Sequence, residues 1–577
     1  MYLANLPCEI LLVIAEFVEH ERDLNALVQT SFRCYSGLNI FLYRHSVRNT
    51  CGAGLVSAAG KGSLGAVQKF LDLGVDVNWK RAPRGQTAIQ NAALGGHIEV
   101  VRHLLNIKGI KLRYANDLGS VLDYAIRGGS IPMVKLLLAD SRIKPNIKST
   151  KRSAPIHHAA DTGNPDVVKL LLADKRVDPN LRGGIRRTAL HIAVRKGHHA
   201  VQKLLVKYSD VDLNAKAGPL ARTPLLEALK APIETSPADS LRILLSSGRV
   251  DIEMCDNRLN SALSLAAKAK SPEYIEILLE WGANIESRDH YEFTPLLTAA
   301  RAPGDLCDNV EFLLNSGADF RAVEMEGRNA LALAAQYNNS KTVELLLRHG
   351  GIDPNISDNV GFTPLLLATH EDNFGIMSTL VSCDRVDVNR KDNFGNTAMH
   401  QASYNSSPRS AKILLEREEA DINVKNNEGL SPLALAVARE SNSLVSIYTR
   451  YGADINSKDN TGTTPVMVAI KNKNVPMVKE LLSMGTLDFD PKNDQGMALL
   501  NCASQSLIEL IREKPDGNPL AACYMQEIIL GTSLSRAALL GKAAVVDILL
   551  TQDGIQLNPR TRDGGTQLST RSTTWSG

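Results

Sequence analysis

Most features that would assign a function quickly are missing from these 577 residues. There is no P-loop, no GxGxxG after a strand, no HExxH and no GxSxG, so the chemistries those motifs support have no residues to work with. The eight cysteines stand far apart, at 8, 34, 51, 255, 307, 383, 502 and 523. No C-x-x-C pair or Cys/His ligand spacing occurs among them, so neither a zinc site nor a disulfide framework is indicated. Scattered thiols suit the cytosol or nucleus. An excess of one charge is lacking too: 65 basic and 62 acidic residues leave +3, too little for a dedicated nucleic-acid binder. No apolar run reaches the roughly 20 residues of a membrane span. The stretch LPCEILLVIAEFV (6–18) is interrupted by Glu9 and Glu16, and no Lys or Arg precedes Arg22, unlike a secretion signal. These absences predict a cytoplasmic or nuclear chain without catalysis, cofactor, metal, nucleic-acid partner or membrane insertion.

What is present is a repeat. GFTPLLLATH (361–370), GNTAMHQAS (395–403), GLSPLALAV (429–437) and GTTPVMVAI (462–470) align on Thr363, Thr397, Ser431 and Thr464, spaced by 34, 34 and 33. The same interval leads upstream to Asn329, Thr294, Ser261, Thr223, Thr188, Ala154, Ser120, Thr87 and Ala53, and downstream to Met497 and Ser533. Each position has a physical job. Thr or Ser before Pro, as in Thr294-Pro295 or Ser431-Pro432, is an N-cap followed by a proline where no donor is missed. Small residues such as Ala334 and Ala335 let neighbouring helices approach closely. A break such as GGH (95–97) or KGH (196–198) turns the chain. In KTVELLLRHG (341–350), Val343, Leu346 and Leu347 fall on one helical face, and Gly350 is placed for a left-handed cap. The stretch IDPNISDNVG (352–361) carries turn residues back to the next cap, while APIETSPADS (231–240) lengthens one inter-helix turn.

The period and pattern resemble the ankyrin repeat, whose T-P-L-H-x-A signature has these mechanics. The signature histidine stands at His157, His191 and His400. The resemblance covers residues 51–558, about fifteen units. It implies an all-α repeat solenoid: a helix-turn-helix stack with short β-hairpin loops projecting to one side. One pair cannot bury its own apolar face, so stability comes from neighbour interfaces. Residues 559–577 begin another unit, reach Thr566 and dissolve into Ser and Thr, an incomplete repeat with a disordered tail. Either the last full unit exposes apolar surface, or the array continues in a longer chain.

Residues 1–50 do not share the repeat. Pro7 can start a helix with Glu9 in its first turn. Ile10, Val13, Ile14 and Phe17 make one stripe, with Leu11, Leu12 and Val18 on other faces, more apolar surface than one partner helix covers. The segment looks like an F-box, preceding the array as a small helical module. The matching positions are Leu6, Pro7, Glu9, Ile10, Leu11, Ile14, Phe17, Leu24, Leu27 and Val28. Where that family often has a tryptophan, this chain has Cys34 and Tyr35. The resemblance implies docking on the small Skp-type adaptor subunit of a cullin–RING (SCF-type) ubiquitin ligase, with the array capturing a client protein. The combination resembles fungal F-box/ankyrin repeat proteins. The alternative is a scaffold whose first helices only cap the array.

Candidate client contacts are Tyr291, Phe293, Phe362 and Phe394, aromatics placed at hairpin tips that are usually polar; exposed aromatics are common anchors. Alternatively, each ring folds onto its own hairpin. The doublets His157-His158 and His198-His199 point to different helix faces and do not read as metal ligands.

Overall fold

The computed structural model describes residues 52–80, 85–112, 119–472 and 474–484. The expected units at Met497 and Ser533, the F-box-like module and the tail lie outside the described residues. Among the described residues, twenty-six α-helices form thirteen successive pairs and no strand occurs. The expected hairpins are turns too short to build a ladder; an isolated antiparallel bridge pairs Ala217 with Arg222.

The chain divides into two compact units between Pro295 and Leu296. In the first, the leading helices of each pair, from Ala53–Gly60 to Ala262–Ala267, stack on one another as one layer. The following helices, Leu64–Asp72 to Glu273–Glu280, stack as a second layer. The second unit repeats the plan, with Ala330–Gln336 to Pro465–Lys471 in one layer and Cys307–Asn315 to Val475–Met484 in the other.

Sequence explains both layers. Most leading helices start at a hydroxyl or amide cap, Gly52 and Ala154 being exceptions: Thr363 Oγ1 accepts the Leu366 N–H at 3.3 Å, and Pro364 fills the first helical position. They are buried nearly all round, and small side chains make that possible; Ala330, Ala332, Ala334 and Ala335 are all buried in one helix. The following helices are amphipathic. In Ser340–Arg348, Val343 and Leu346 face inward while Lys341, Glu344 and Arg348 face water, and Leu347 is half-buried. Truncating a fully buried leucine such as Leu346 to alanine costs about 2–5 kcal/mol. That helix does not end at a left-handed Gly350, as its sequence suggests. His349 leaves in an extended conformation, and its N–H donates to the Leu345 and Leu346 carbonyls, so no positive φ is needed. The stretch 231–240, expected as a lengthened turn, holds a 3₁₀ turn, Ile233–Thr235, and then the start of the helix Pro237–Leu245.

Polar side chains lock neighbouring repeats. Asn389 donates its amide to the Glu419 carbonyl at 2.6 Å and accepts the Asp421 N–H at 2.8 Å. Asn146, Asn180, Asn214 and Asn355 do the same in their own repeats. The Arg176 guanidinium forks onto Asp174 and reaches back to the Leu138 carbonyl at 2.6 Å, where a preceding helix leaves acceptors unused.

Candidate protein-binding surface

Between one pair and the next, the chain makes a finger whose tip is a tight turn. Asp358 illustrates it. Its carboxylate accepts the Val360 N–H at 2.9 Å and the Phe362 N–H at 2.7 Å, and its own N–H bonds the Phe362 carbonyl across the turn. Gly361 takes φ 91, a left-handed conformation open to glycine. In the second unit, successive tips are tied by backbone bonds. Asn359 N–H donates to the Glu326 carbonyl, Asn393 to Val360, Asn427 to Phe394 and Asn460 to Glu428, at 2.9–3.1 Å. The first unit has its own ties, Gly218 N–H to the Ile185 carbonyl, Asn257 to Leu220 and His290 to Arg258. Each unit therefore presents a row of tips in fixed register.

Turn position decides which side chains face outward. Tyr291 and Phe394 occupy the third position, two residues after the turn acid, and both are exposed, Phe394 at 61%. Phe293 and Phe362 occupy the fifth. The N–H of each is held by the turn acid, and its carbonyl pairs across the turn, which sends the ring inward. Phe293 is accordingly only 5% exposed and unavailable as a surface anchor, a correction to its expected place at the tip. Phe362 is half-buried, edge-on to His370 at 5.9 Å. Sequence reading weighted aromatic type and missed the aliphatic tips: Ile185 and Leu259 in the first unit, Met325 and Val360 in the second, all exposed. Val360 shares the third position with Tyr291 and Phe394, whereas Ile185 follows Gly183 in a turn without an acid, Leu259 stands fourth and Met325 second.

At the base of the fingers, the signature histidines act as staples. His400 Nδ1 accepts the Thr397 N–H at 3.1 Å, which puts the proton on Nε2, and that nitrogen donates to the Leu430 carbonyl of the next repeat at 3.0 Å. His157 and His191 make equivalent bonds, to Leu181 and Arg187 and to Arg222. Burial holds all three below the ordinary imidazole range, His400 at about 4. Gln90 replaces histidine in the second pair with the same geometry. Its Oε1 accepts the Thr87 N–H at 3.0 Å and its Nε2 donates to the Gly119 carbonyl at 3.3 Å. In the third pair Asp123 takes this position and caps Ser120; burial raises its carboxyl to about 7. The doublet rings are engaged with the array: His198 with the Asp161 carbonyl, His199 with Thr235, and His158 with the Arg127 guanidinium.

The F-box-like positions Leu6, Pro7, Glu9, Ile10, Leu11, Ile14, Phe17, Leu24, Leu27 and Val28 lie outside the described residues. Among the described residues, no helix is long and apolar enough to cross a membrane.

Helix pairs at a 33–34 residue period, joined by registered fingers and stapled through the cap-plus-three position, define a helical repeat protein. The family described as ankyrin repeats (3 copies) matches in overlapping segments from 55–149 to 433–563, and the chain belongs to it. Similarity to individual proteins is local. A putative ankyrin repeat protein of fowlpox virus, FPV031, is 36% identical over 108 residues, 18% of this chain and 31% of its own length. The putative ankyrin repeat protein YahD of Escherichia coli K12 is 29% identical over 126 residues, 22% of this chain and 61% of its own. Human inversin is 32% identical over 143 residues, 24% of this chain and 12% of its own. The chain thus spans less than two thirds of each of these relatives. The crystal structure of the ankyrin repeat domain of Bcl-3 matches 39% of this chain and 98% of its own, at 24% identity and a TM-score of 0.36. Ankyrin repeats are protein-binding scaffolds, in general without catalysis.

Proposed function

We propose that the chain is a non-enzymatic substrate receptor: its N-terminal module docks on the Skp-type adaptor of a cullin–RING ubiquitin ligase, and its array captures a client. The capture half is carried by the rows of outward tip side chains, Ile185, Leu259 and Tyr291 in one unit and Met325, Val360 and Phe394 in the other. Rigid, registered apolar groups standing in water are what a binding surface requires and a solvated one avoids. The docking half is supported by the sequence pattern from Leu6 to Val28. The mechanism is proximity: binding raises the client's effective concentration near the charged enzyme, and the receptor supplies no chemistry. It places the protein in the cytoplasm or nucleus, where such ligases work.

The test is co-purification with the adaptor, wild type against Leu6→Ala plus Pro7→Ala. Stoichiometric complex in the wild type and its loss in the variant are expected. No complex in the wild type, or an undiminished one in the variant, leaves an ankyrin scaffold whose first helices serve as a cap.

A further inference from the structure

The small net charge conceals a local imbalance. Finger segments 141–154, 179–188 and 213–223 contain ten Lys or Arg and no Asp or Glu. Three of these cations are engaged: Arg142 with Asp140, Arg187 with Glu227 at 2.7 Å, and Arg222 at 3.8 Å from Asp256. The other seven, Lys144, Lys148, Lys151, Arg152, Arg182, Arg186 and Lys216, are exposed, and among the described residues none has a carboxylate in ion-pair range. The three fingers are fixed relative to one another by the Asn146 and Asn180 bridges, by Gly218 N–H on the Ile185 carbonyl, and by Arg182 Nη1 on the Lys216 carbonyl at 3.0 Å.

Backbone strain is the second observation. The fourth turn position is left-handed throughout, and in the second unit it is always glycine: Gly327, Gly361, Gly395, Gly429 and Gly462, φ 78 to 91. In the first two basic fingers the same position is Arg152 at φ 62 and Arg186 at φ 61, with Ile185 also left-handed at φ 50. A Cβ in that region is disfavoured, so these arginines are kept against the preference of the backbone. The later fingers of the first unit carry the same strain at Ala221, φ 52, Leu259, φ 58, and Glu292, φ 65, so the strain belongs to that unit as a whole; at Arg152 and Arg186 it falls on exposed cations.

We propose that these three fingers bind an acidic segment of a partner protein, an extended Asp- and Glu-rich stretch with an aliphatic side chain for exposed Ile185. This rests on the receptor reading and names the chemistry of its client. A single-stranded nucleic acid would want aromatic platforms for its bases, and the three segments contain no aromatic residue.

The experiment uses the full chain and a short fluorescent peptide of Asp and Glu around one leucine, read by anisotropy over a salt series. Arg152→Gly plus Arg186→Gly removes two cations and relieves two strained turns, so the melting temperature should hold or rise while affinity falls. Adding Lys148→Ser and Lys151→Ser should bring the loss to about tenfold and flatten the salt dependence. Removing Arg390 and Lys412, exposed cations of the second unit, should change nothing. Absent binding by the wild type, unchanged binding by the fourfold variant, or equal affinity for an oligonucleotide of matched charge overturns the inference. If Arg152→Gly plus Arg186→Gly lowers the melting temperature, the two lysine substitutions alone decide, and undiminished binding there overturns it. Adaptor co-purification is blind to these substitutions, so its failure and this one are told apart.

Discussion

His400 offers a quantitative test of how neighbouring repeats are held. Its side chain is 0% exposed and spends both ring nitrogens on the backbone, accepting from Thr397 and donating to Leu430. Burial disfavours a charged ring at this site, so the folded imidazole stays neutral down to about 4, against 6.5 when free. The folded pKa is depressed, so the unfolded chain binds the proton first. The staple's full contribution is present above pH 6.5 and drains away as pH falls toward 4, by about 3 kcal/mol in all. Gln90 already shows an amide making the same two bonds. His400→Gln should therefore cost less than about 1 kcal/mol at pH 7.5 and overtake the wild type below about pH 5.5. His400→Ala leaves the buried Thr397 N–H without its acceptor, while the Leu430 carbonyl keeps the Asn426 N–H, and should lose about 1–3 kcal/mol at neutral pH. Repeat arrays need not unfold in one step, so the readout is hydrogen exchange in peptides covering 396–404 and 428–436, corrected for intrinsic rates. Identical acid sensitivity in wild type and His400→Gln would refute the staple argument.

Other consequences are equally direct. Asp123 titrates in the opposite sense: its folded pKa is raised to about 7, so its contribution is whole below pH 3.8 and lost as pH rises through 7. Asp123→Asn, which keeps an acceptor for Ser120, should be more stable than wild type at pH 8 by upwards of about 1 kcal/mol and equal near pH 4 in urea melts. Arg176→Ala should loosen its junction by about 1 kcal/mol, visible as faster exchange near Leu138 and Ile143, because the guanidinium bonds both carbonyls. Gly361→Ala sets a Cβ at φ 91 and 2.5 Å from the Asn393 nitrogen, and should cost about 1–3 kcal/mol with exchange rising in the neighbouring finger.

The period, the caps and the paired helices were legible because they are local: Thr363 with Pro364, or Val343 with Leu346, declares its role within a few residues. The staples at His157, His191 and His400 were legible as a signature, though their partners stand 24 to 31 positions away. Less was visible at the tips. Residue type suggested four aromatics, but whether a ring points out depends on its offset from the turn acid; Phe293 and Phe394 differ in that alone. Gly350 misled because an extended His349 satisfies the helix end without it. The basic fingers escaped notice because their charge cancels over the whole chain and because the strain at Arg152 and Arg186 is a property of φ, not of composition.

The most direct measurement is proximity labelling from three forms of the intact chain: wild type, Leu6→Ala plus Pro7→Ala, and Met325→Ser plus Val360→Ser plus Phe394→Ser, with melting temperatures alongside. Two separable surfaces predict that the first variant loses the adaptor and keeps the clients, while the second keeps the adaptor and loses clients at unchanged stability. The same set of neighbours in all three forms would contradict the account.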